Sequence, residues 1–361
     1  MIPVYKPYFT KESLRYAHEA IDSTWISSHG NYLSLVEEKL KNITKTKYVI
    51  LTNNGTSATH LVAHALKFKY PHIQNLFVPA NSYIASWNMF IINPMYNLIP
   101  IDADINTWNI DKSQLYEKEN TAILIVHNIN SIINVPELKR LFPNTIFIED
   151  NCEGFLGKYE DIFSGNASIA YSVSFFGNKN ITSGEGGAFF TNDEEIYEKI
   201  NKIRSHGFTH KKFIFNGIGY NYRMTNVQAA LLYGQFLLLN EIKERKNEVF
   251  ETYKKELNHP LIEFQKIEDN TEPSNWMFGI RIKNINTKKD KFISYLSYND
   301  IETRPMFPPI NYHSHFSYFG NNFPISKELY ESVIILPSYC ELTKNEIKYI
   351  SKTIINFLEN E

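Results

Sequence analysis

Apolar residues recur at helical spacing over residues 11–23 and again over 32–41, so the chain opens with two predicted helices. An irregular polar loop, Trp25-Ile-Ser-Ser-His-Gly30, separates them. From residue 47 to 190 the pattern changes. Short apolar runs at 48–51, 75–78, 122–126, 145–148 and 169–175 alternate with helical stretches. A further run at 186–191 follows a glycine turn. This alternation predicts an α/β fold, with helices on the faces of a βα-type sheet. Residues 225–257 carry a long helical pattern, with room for a break. Beyond it come a strand pattern at 276–282, a helical one at 289–297, a proline-broken loop at 304–310 and an amphipathic helix at 344–358. The change of rhythm places a domain boundary near residue 240, giving units 1–240 and 241–361. A chain of 361 residues is too long for one small core and suits two packed domains.

Composition narrows the function. With 43% hydrophobic and 21% charged residues, the chain reads as an ordinary globular protein. A net charge of −2 speaks against nucleic acid or a membrane surface as partner. The Lys-rich stretches at 41–47 and 243–246 are interleaved with polar or acidic residues and read as solvated helix faces. Cys152 and Cys340 are the only cysteines, which argues against a disulfide framework and for a reducing compartment. The N-terminus lacks the charged-then-apolar signal pattern. No apolar run approaches the roughly 20 residues needed to span a bilayer. The expected location is the cytoplasm.

Four segments carry candidate chemistry. In Leu51-Thr-Asn-Asn-Gly55-Thr-Ser-Ala58 a strand ends, a glycine permits a tight turn, and small hydroxyl residues open a helix. Free N–H groups and the helix dipole there make a seat for phosphate, though an N-capped helix alone would look the same. In Thr145-Ile-Phe-Ile-Glu-Asp150-Asn-Cys-Glu153 an apolar strand finishes in acidic residues, where α/β sheets present side chains to ligands. A charged loop start is the plain alternative. In the third segment, Ser172 to Gly187, Lys179 sits between an apolar strand and a Gly-rich turn. A lysine amine can condense with an aldehyde, and burial makes it a better nucleophile. Ser174 lies five residues earlier and can reach the same ligand. The fourth, Gly219-Tyr-Asn-Tyr-Arg-Met224, precedes the long helix with Thr225 as its cap. His313 and His315 have no further ligand cluster around them in the sequence, so no metal is expected.

Taken in order, these segments resemble the DegT/DnrJ/StrS family of nucleotide-sugar aminotransferases, essentially end to end. The most specific element is Phe176-Gly-Asn-Lys-Asn-Ile-Thr-Ser-Gly-Glu-Gly-Gly187. With Gly219–Met224 and Arg304-Pro-Met-Phe-Pro-Pro309, it looks most like the perosamine-forming branch. The resemblance implies the aspartate-aminotransferase-like fold (pyridoxal-phosphate fold type I), with a mostly parallel central sheet and a smaller C-terminal α+β domain. It implies pyridoxal 5'-phosphate as cofactor, with pyridoxamine phosphate as its intermediate form, and a homodimer whose active site is shared across the interface. Lys179 matches the Schiff-base lysine and Asp150 the carboxylate on the pyridinium nitrogen. Glu153 matches the position beside the phenolic oxygen. Gly55, Thr56, Ser57 and Ser174 match the phosphate cradle. Tyr83 matches the aromatic ring stacked on the pyridine. Asn221 matches the residue that reaches the neighbouring subunit's cofactor phosphate. Arg304 is the candidate for the substrate diphosphate, a surface ion pair being its plain alternative; His313 and Trp25 follow it. Where relatives have His-Leu-Tyr-Gly, this chain has His127-Asn-Ile-Asn130, and a local loop change is expected.

The implied reaction moves an amino group from glutamate to C4 of a nucleotide-linked 4-keto-6-deoxyhexose. The product would be of the perosamine or viosamine type, with GDP, UDP or dTDP left open. Three rivals remain: a 3-keto-sugar aminotransferase, a pyridoxal-phosphate-dependent sugar dehydratase, and a non-catalytic regulator that binds the cofactor. The dehydratases carry His in place of the Schiff-base lysine, so Lys179 argues against that reading.

Overall fold

Residues 1–209, 211 and 213–360 are described by a computed structural model. The chain runs α1 (Lys11–Asp22), α2 (Asn31–Thr44), β1 (Tyr48–Thr52), α3 (Gly55–Lys69), β2 (Asn75–Pro79), α4 (Ala85–Asn88), β3 (Asn97–Ile101), β4 (Thr121–Val126), α5 (Val135–Leu141) and β5 (Ile146–Asp150). Next come β6 (Lys158–Tyr159), β7 (Ile162–Phe163), β8 (Ala170–Ser174), β9 (Gly187–Thr191), α6 (Glu194–Arg204), α7 (Asn226–Leu237) and α8 (Leu239–Glu256). The remainder is β10 (Ile262–Phe264), β11 (Thr271–Glu272), β12 (Phe278–Ile282), α9 (Lys289–Tyr298), β13 (Arg304–Pro305), α10 (Pro324–Ser332), β14 (Val333–Leu336) and α11 (Lys344–Asn360).

A seven-stranded sheet, in the order β1-β9-β8-β5-β4-β2-β3, is the centre of the molecule. Its neighbours pair in parallel except at β9, which runs antiparallel to both β1 and β8. Strands β4, β8 and β9 are buried along their whole length. Covered on both faces, β4 reads as an unbroken apolar run after Thr121, while β8 and β9 interleave apolar residues with Ser, Gly and Thr.

The reversal at β9 sets the path of the loop before it. Ser174, the last residue of β8, lies opposite Gly187, the first of β9, and Gly187 in turn lies opposite Thr52 at the end of β1. Residues 175–186 therefore leave the carboxyl edge of the sheet and return to it. The fit is tight because side chains are missing. A Cβ on Gly187 would stand 2.4 Å from the Asn54 carbonyl oxygen, and one on Gly55 would stand 2.6 Å from the Ser174 Cβ.

A second core forms around the antiparallel sheet β10-β12-β14-β13. Buried residues from α8, α9 and α11, such as Phe250, Phe292 and Ile350, fill it. Ile2 and Tyr5 pack against this core, and Ile2 bridges Ile301. The small sheet β11-β6-β7 is the third.

Two expectations need correction, while the long helical pattern at 225–257 does contain the break it left room for, as two helices meeting at Leu238. Thr225 does cap the first: its hydroxyl accepts the Gln228 N–H at 3.3 Å, while the Gln228 side chain accepts the Thr225 N–H at 3.0 Å. The strand expected at 276–282 begins only at Phe278, with Trp276 and Met277 ahead of it. β3 is a strand the sequence hides, since Asn and Pro break its apolar run. As the sheet's last strand it tolerates Pro100, because an edge N–H need not pair. The same reason allows the two-residue β13 inside the proline-broken loop.

Gly187→Ala is expected to lower unfolding stability by about 1–3 kcal/mol, since a rigid carbonyl must move. Urea denaturation followed by circular dichroism measures it; an unchanged midpoint would mean the edge is more yielding than its geometry implies.

Candidate active site

The carboxyl edge gathers the chemistry. β5 ends in Asp150, which is buried. The Ser86 hydroxyl donates to Asp150 Oδ2 at 2.7 Å, and the Cys152 N–H to Oδ1 at 3.1 Å. Ser172, on the adjacent β8, donates to Oδ1 at 3.5 Å. The carboxylate is thus fixed by donors from three segments.

Glu153 is buried one turn further on and accepts the Ile129 N–H at 2.8 Å. Burial pushes its carboxyl up to about 7; the nearby Lys179 charge and the Ile129 N–H work against that rise. Ile129 holds a left-handed backbone, φ 64°, an uncommon state for a β-branched residue. Ile129 lies in the 127–130 loop. Its footing is the buried His127, whose Nδ1 accepts the Ile133 N–H at 3.1 Å. The other nitrogen, Nε2, must then carry the proton and donate to Glu149 at 2.8 Å.

Lys179 stands opposite these carboxylates. The residue keeps some contact with solvent, yet burial dominates at its amine and pushes it below the ordinary lysine range. Glu153, Cys152 and Asp150 pull it back. Lys179 Nζ lies 3.6 Å from the centre of the Trp276 ring. The backbone around it is tied down: the Tyr5 hydroxyl donates to the Lys179 carbonyl at 2.5 Å and the Trp276 indole N–H to the Asn178 carbonyl at 2.8 Å.

The start of α3 lies beside Ser174. Its first helical bond runs from the Ala58 N–H to the Asn54 carbonyl at 3.3 Å, and the Asn54 side chain takes the Ser57 N–H at 2.8 Å. The N–H groups of Gly55 and Thr56 precede both and stay unpaired within the helix. Thr56 is exposed, and Ser174 Oγ accepts the Phe176 N–H at 3.3 Å.

The other candidates make their contacts elsewhere. Tyr83 is 55% exposed and meets the Phe307 ring edge-on, centroids 6.1 Å apart. That contact, with the Asn81–Pro309 bridge, brings the 304–309 segment beside the Tyr83 loop. His313 packs on the Trp87 ring at 5.6 Å, and its Nε2 is buried without a partner. Burial lowers its tendency to protonate. Arg304 is exposed, with its guanidinium 3.5 Å from Glu302, a surface ion pair. Trp25 is 61% exposed. Asn221 is exposed and accepts from Arg223 Nε at 3.1 Å. Among the described residues no hydrogen bond, ion pair or ring contact joins Trp25, Asn221 or Arg304 to Lys179. Ser86, Tyr5 and Trp276 belong to the site, and the sequence pattern does not point to them. Ser86 sits on a single helical turn without periodicity, and Trp276 is masked by the apolar run that becomes β12. The Cys152 thiol, pushed well up by burial, packs as a small apolar group.

Few cofactors call for an amine to hold an aldehyde, a fixed carboxylate for a ring nitrogen and an anion seat for a phosphate. Pyridoxal phosphate calls for all three, and the residues present fit it, Gly55 in particular leaving the seat bare. The chain is a pyridoxal-phosphate-dependent aminotransferase. It belongs to the DegT/DnrJ/EryC1/StrS aminotransferase family, whose profile matches residues 7–355. It is 32% identical over 370 residues to the GDP-perosamine synthase of Escherichia coli O157:H7, covering 100% of this chain and 99% of that one. The GDP-perosamine synthase of Vibrio cholerae is 29% identical, with 99% of each covered. Among solved structures, Helicobacter pylori PseC, an aminotransferase involved in the biosynthesis of pseudoaminic acid, superposes with a TM-score of 0.93 over 100% of both chains at 23% identity. The E. coli GDP-4-keto-6-deoxy-D-mannose-3-dehydratase with bound hydrated cofactor gives 0.90 at 23%, covering 98% and 99%. At such identity these two likenesses speak for the fold.

Burial raises the Glu153 carboxyl to about 7 from an ordinary 4.5. Between those values the folded form binds more protons than the unfolded chain, so this group makes stability fall as pH rises, by at most ~1.4 kcal/mol per pH unit. Glu153→Gln removes that slope. Urea midpoints at a series of pH values test it, and equal slopes in both proteins would refute the assignment.

Proposed function

We propose that the protein transfers an amino group from glutamate to C4 of a nucleotide-linked 4-keto-6-deoxyhexose, giving a 4-amino-4,6-dideoxy sugar of the perosamine type. The observation that carries the transfer chemistry is the Lys179 amine, buried to below its ordinary basicity and facing Glu153 and Asp150. The choice of a 4-keto sugar rests on the end-to-end similarity to two GDP-perosamine synthases.

Lys179 holds the cofactor's aldehyde. Asp150 holds the ring nitrogen, Glu153 the phenolic oxygen, and Gly55, Thr56, Ser57 and Ser174 the phosphate. Tyr83 covers the ring. Pyridoxal phosphate, when bound, supplies a ring that draws electrons from the carbon being deprotonated. Lys179 Nζ would take a proton from the amino-acid α-carbon. In the second half-reaction the same nitrogen moves a proton in the opposite sense. A base already within reach needs no further recruitment. Ser86, Ser172 and the Cys152 N–H keep Asp150 aimed while this happens.

Arg304 is assigned to the diphosphate, with His313 and Trp25 completing the sugar-nucleotide site. Groups that select substrate need not touch the reacting amine. The functional unit is a homodimer, with Asn221 reaching the partner's cofactor phosphate. The division into 1–240 and 241–361 and a cytoplasmic location belong to the same proposal. Among the described residues no helix is long and apolar enough to cross a membrane.

Lys179→Ala is expected to abolish turnover, and near-normal rates in it would end the proposal. Substrate choice is read by mass spectrometry after incubation with pyridoxal phosphate, glutamate and equal amounts of GDP-, UDP- and dTDP-4-keto-6-deoxyhexoses. Amination of the GDP sugar is expected. Preference for UDP or dTDP sugars moves the assignment to the viosamine type. No amination of any 4-keto sugar, with turnover of a 3-keto sugar, replaces C4 by C3; a 3-amino-sugar transaminase from Aneurinibacillus thermoaerophilus is 27% identical to this chain.

A further inference from the structure

Lys246 is a second buried lysine, and the amino-transfer chemistry makes no use of it. It lies on α8 with 1% of its surface exposed. No carboxylate pairs with it among the described residues. Its ammonium donates to two backbone carbonyls instead, that of Trp276 at 2.6 Å and that of Ser338. The rings of Tyr5 and Phe250 stand 5.4 and 5.5 Å from it. An unpaired buried charge is costly unless its hydrogen bonds are met, and here they clamp two strand-flanking segments together.

Both Trp276 and Tyr5 lead from Lys246 to Lys179. The carbonyl that Lys246 holds belongs to the tryptophan whose ring lies 3.6 Å from Lys179 Nζ. Trp276 is itself buried, and its N–H fixes the Asn178 carbonyl. Tyr5, beside Lys246, bonds the Lys179 carbonyl, and Asn180 Nδ2 donates to the Ser274 carbonyl at 2.7 Å. Residues 178–180 are thus tied, one by one, to residues 274–276 and to Tyr5.

The geometry points to Trp276 as a positioning residue for the Lys179 amine, with its ring as the rest for the unlinked ammonium and Lys246 as the clamp that fixes the ring. This rests on the reading of Lys179 as the residue that holds the cofactor. The face of an indole attracts a cation, and more strongly where water is excluded. The other groups facing the amine are Glu153, Asp150 and the Cys152 thiol. The ring differs from the carboxylates in favouring the ammonium without offering a proton acceptor, so it biases the amine without competing for its proton.

The test uses the full chain freed of cofactor. The rate of pyridoxal phosphate uptake, followed by the growth of its visible band, is measured against pH. Uptake needs the unprotonated amine, so its midpoint reports Lys179. Trp276→Leu keeps the site apolar and removes the ring. It is expected to lower the midpoint by roughly 0.5 to 1.5 units, while Trp276→Phe, which keeps a ring, moves it less. Lys246→Met is expected to shift it the same way, and to add nothing in the Trp276→Leu background, because it acts through the ring. Trp276→Met and Lys246→Gln carry the same test if a first variant fails to fold, with near-ultraviolet circular dichroism as the check. A folded Trp276→Leu or Trp276→Met protein with an unmoved midpoint overturns the inference, and independent additive shifts overturn the role of Lys246. If the unmutated protein forms no visible band, it is the reading of Lys179 that fails.

Discussion

An amine can react as a nucleophile only without its proton, and it stays in place beside carboxylates only if something limits their pull. At Lys179 burial lowers the amine while Glu153, Cys152 and Asp150 raise it. The rest of the architecture serves that balance. β5 delivers Asp150 to the carboxyl edge, the segment after it delivers Glu153, and the reversed strand β9 returns the lysine loop to the same edge. Had β9 run parallel, residues 175–186 would have had to cross the sheet, and Lys179 would have left the carboxylates behind.

The two lysines show how one residue type serves opposite ends. Lys246 is surrounded by carbonyls and rings, and burial brings it down to about 8. Its ammonium still has two acceptors that no water need replace. Lys179 has a ring on one side and carboxylates on the other, so its protonation can change without leaving a bonded carbonyl orphaned. Sequence position says nothing of this difference; the partners decide it.

Much of the sheet and of the site is legible in the order of residues. The buried strands announce themselves because both faces are covered, and their apolar runs locate Asp150 and the start of α3. The loop from Phe176 to Gly187 marks Lys179 by its glycines. What stays hidden has a common physical cause. Edge strand β3 is broken by Asn and Pro and looks like loop. Ser86 sits on one helical turn. Trp276 and Tyr5 reach Lys179 and its neighbour Asn178 from 98 and 174 residues away, through contacts that no local pattern records. At 127–130 no local pattern marks the left-handed backbone of Ile129, whose N–H is taken by Glu153, 24 residues away.

The proposed phosphate seat has a further property, which comes from its missing side chains. Gly55 rests on Ser174, and Gly187 on Asn54, so the seat is built from segments more than a hundred residues apart and owes nothing to any one of them alone. Such distant pairings close late, since the long loops between them must be ordered first. A nascent chain that has emitted β1 and α3 therefore displays the helix N-terminus but not the pocket. On the proposed assignment the molecule can retain its cofactor only after β8 and β9 have closed the sheet, and from then on every bound cofactor molecule weighs against reopening it.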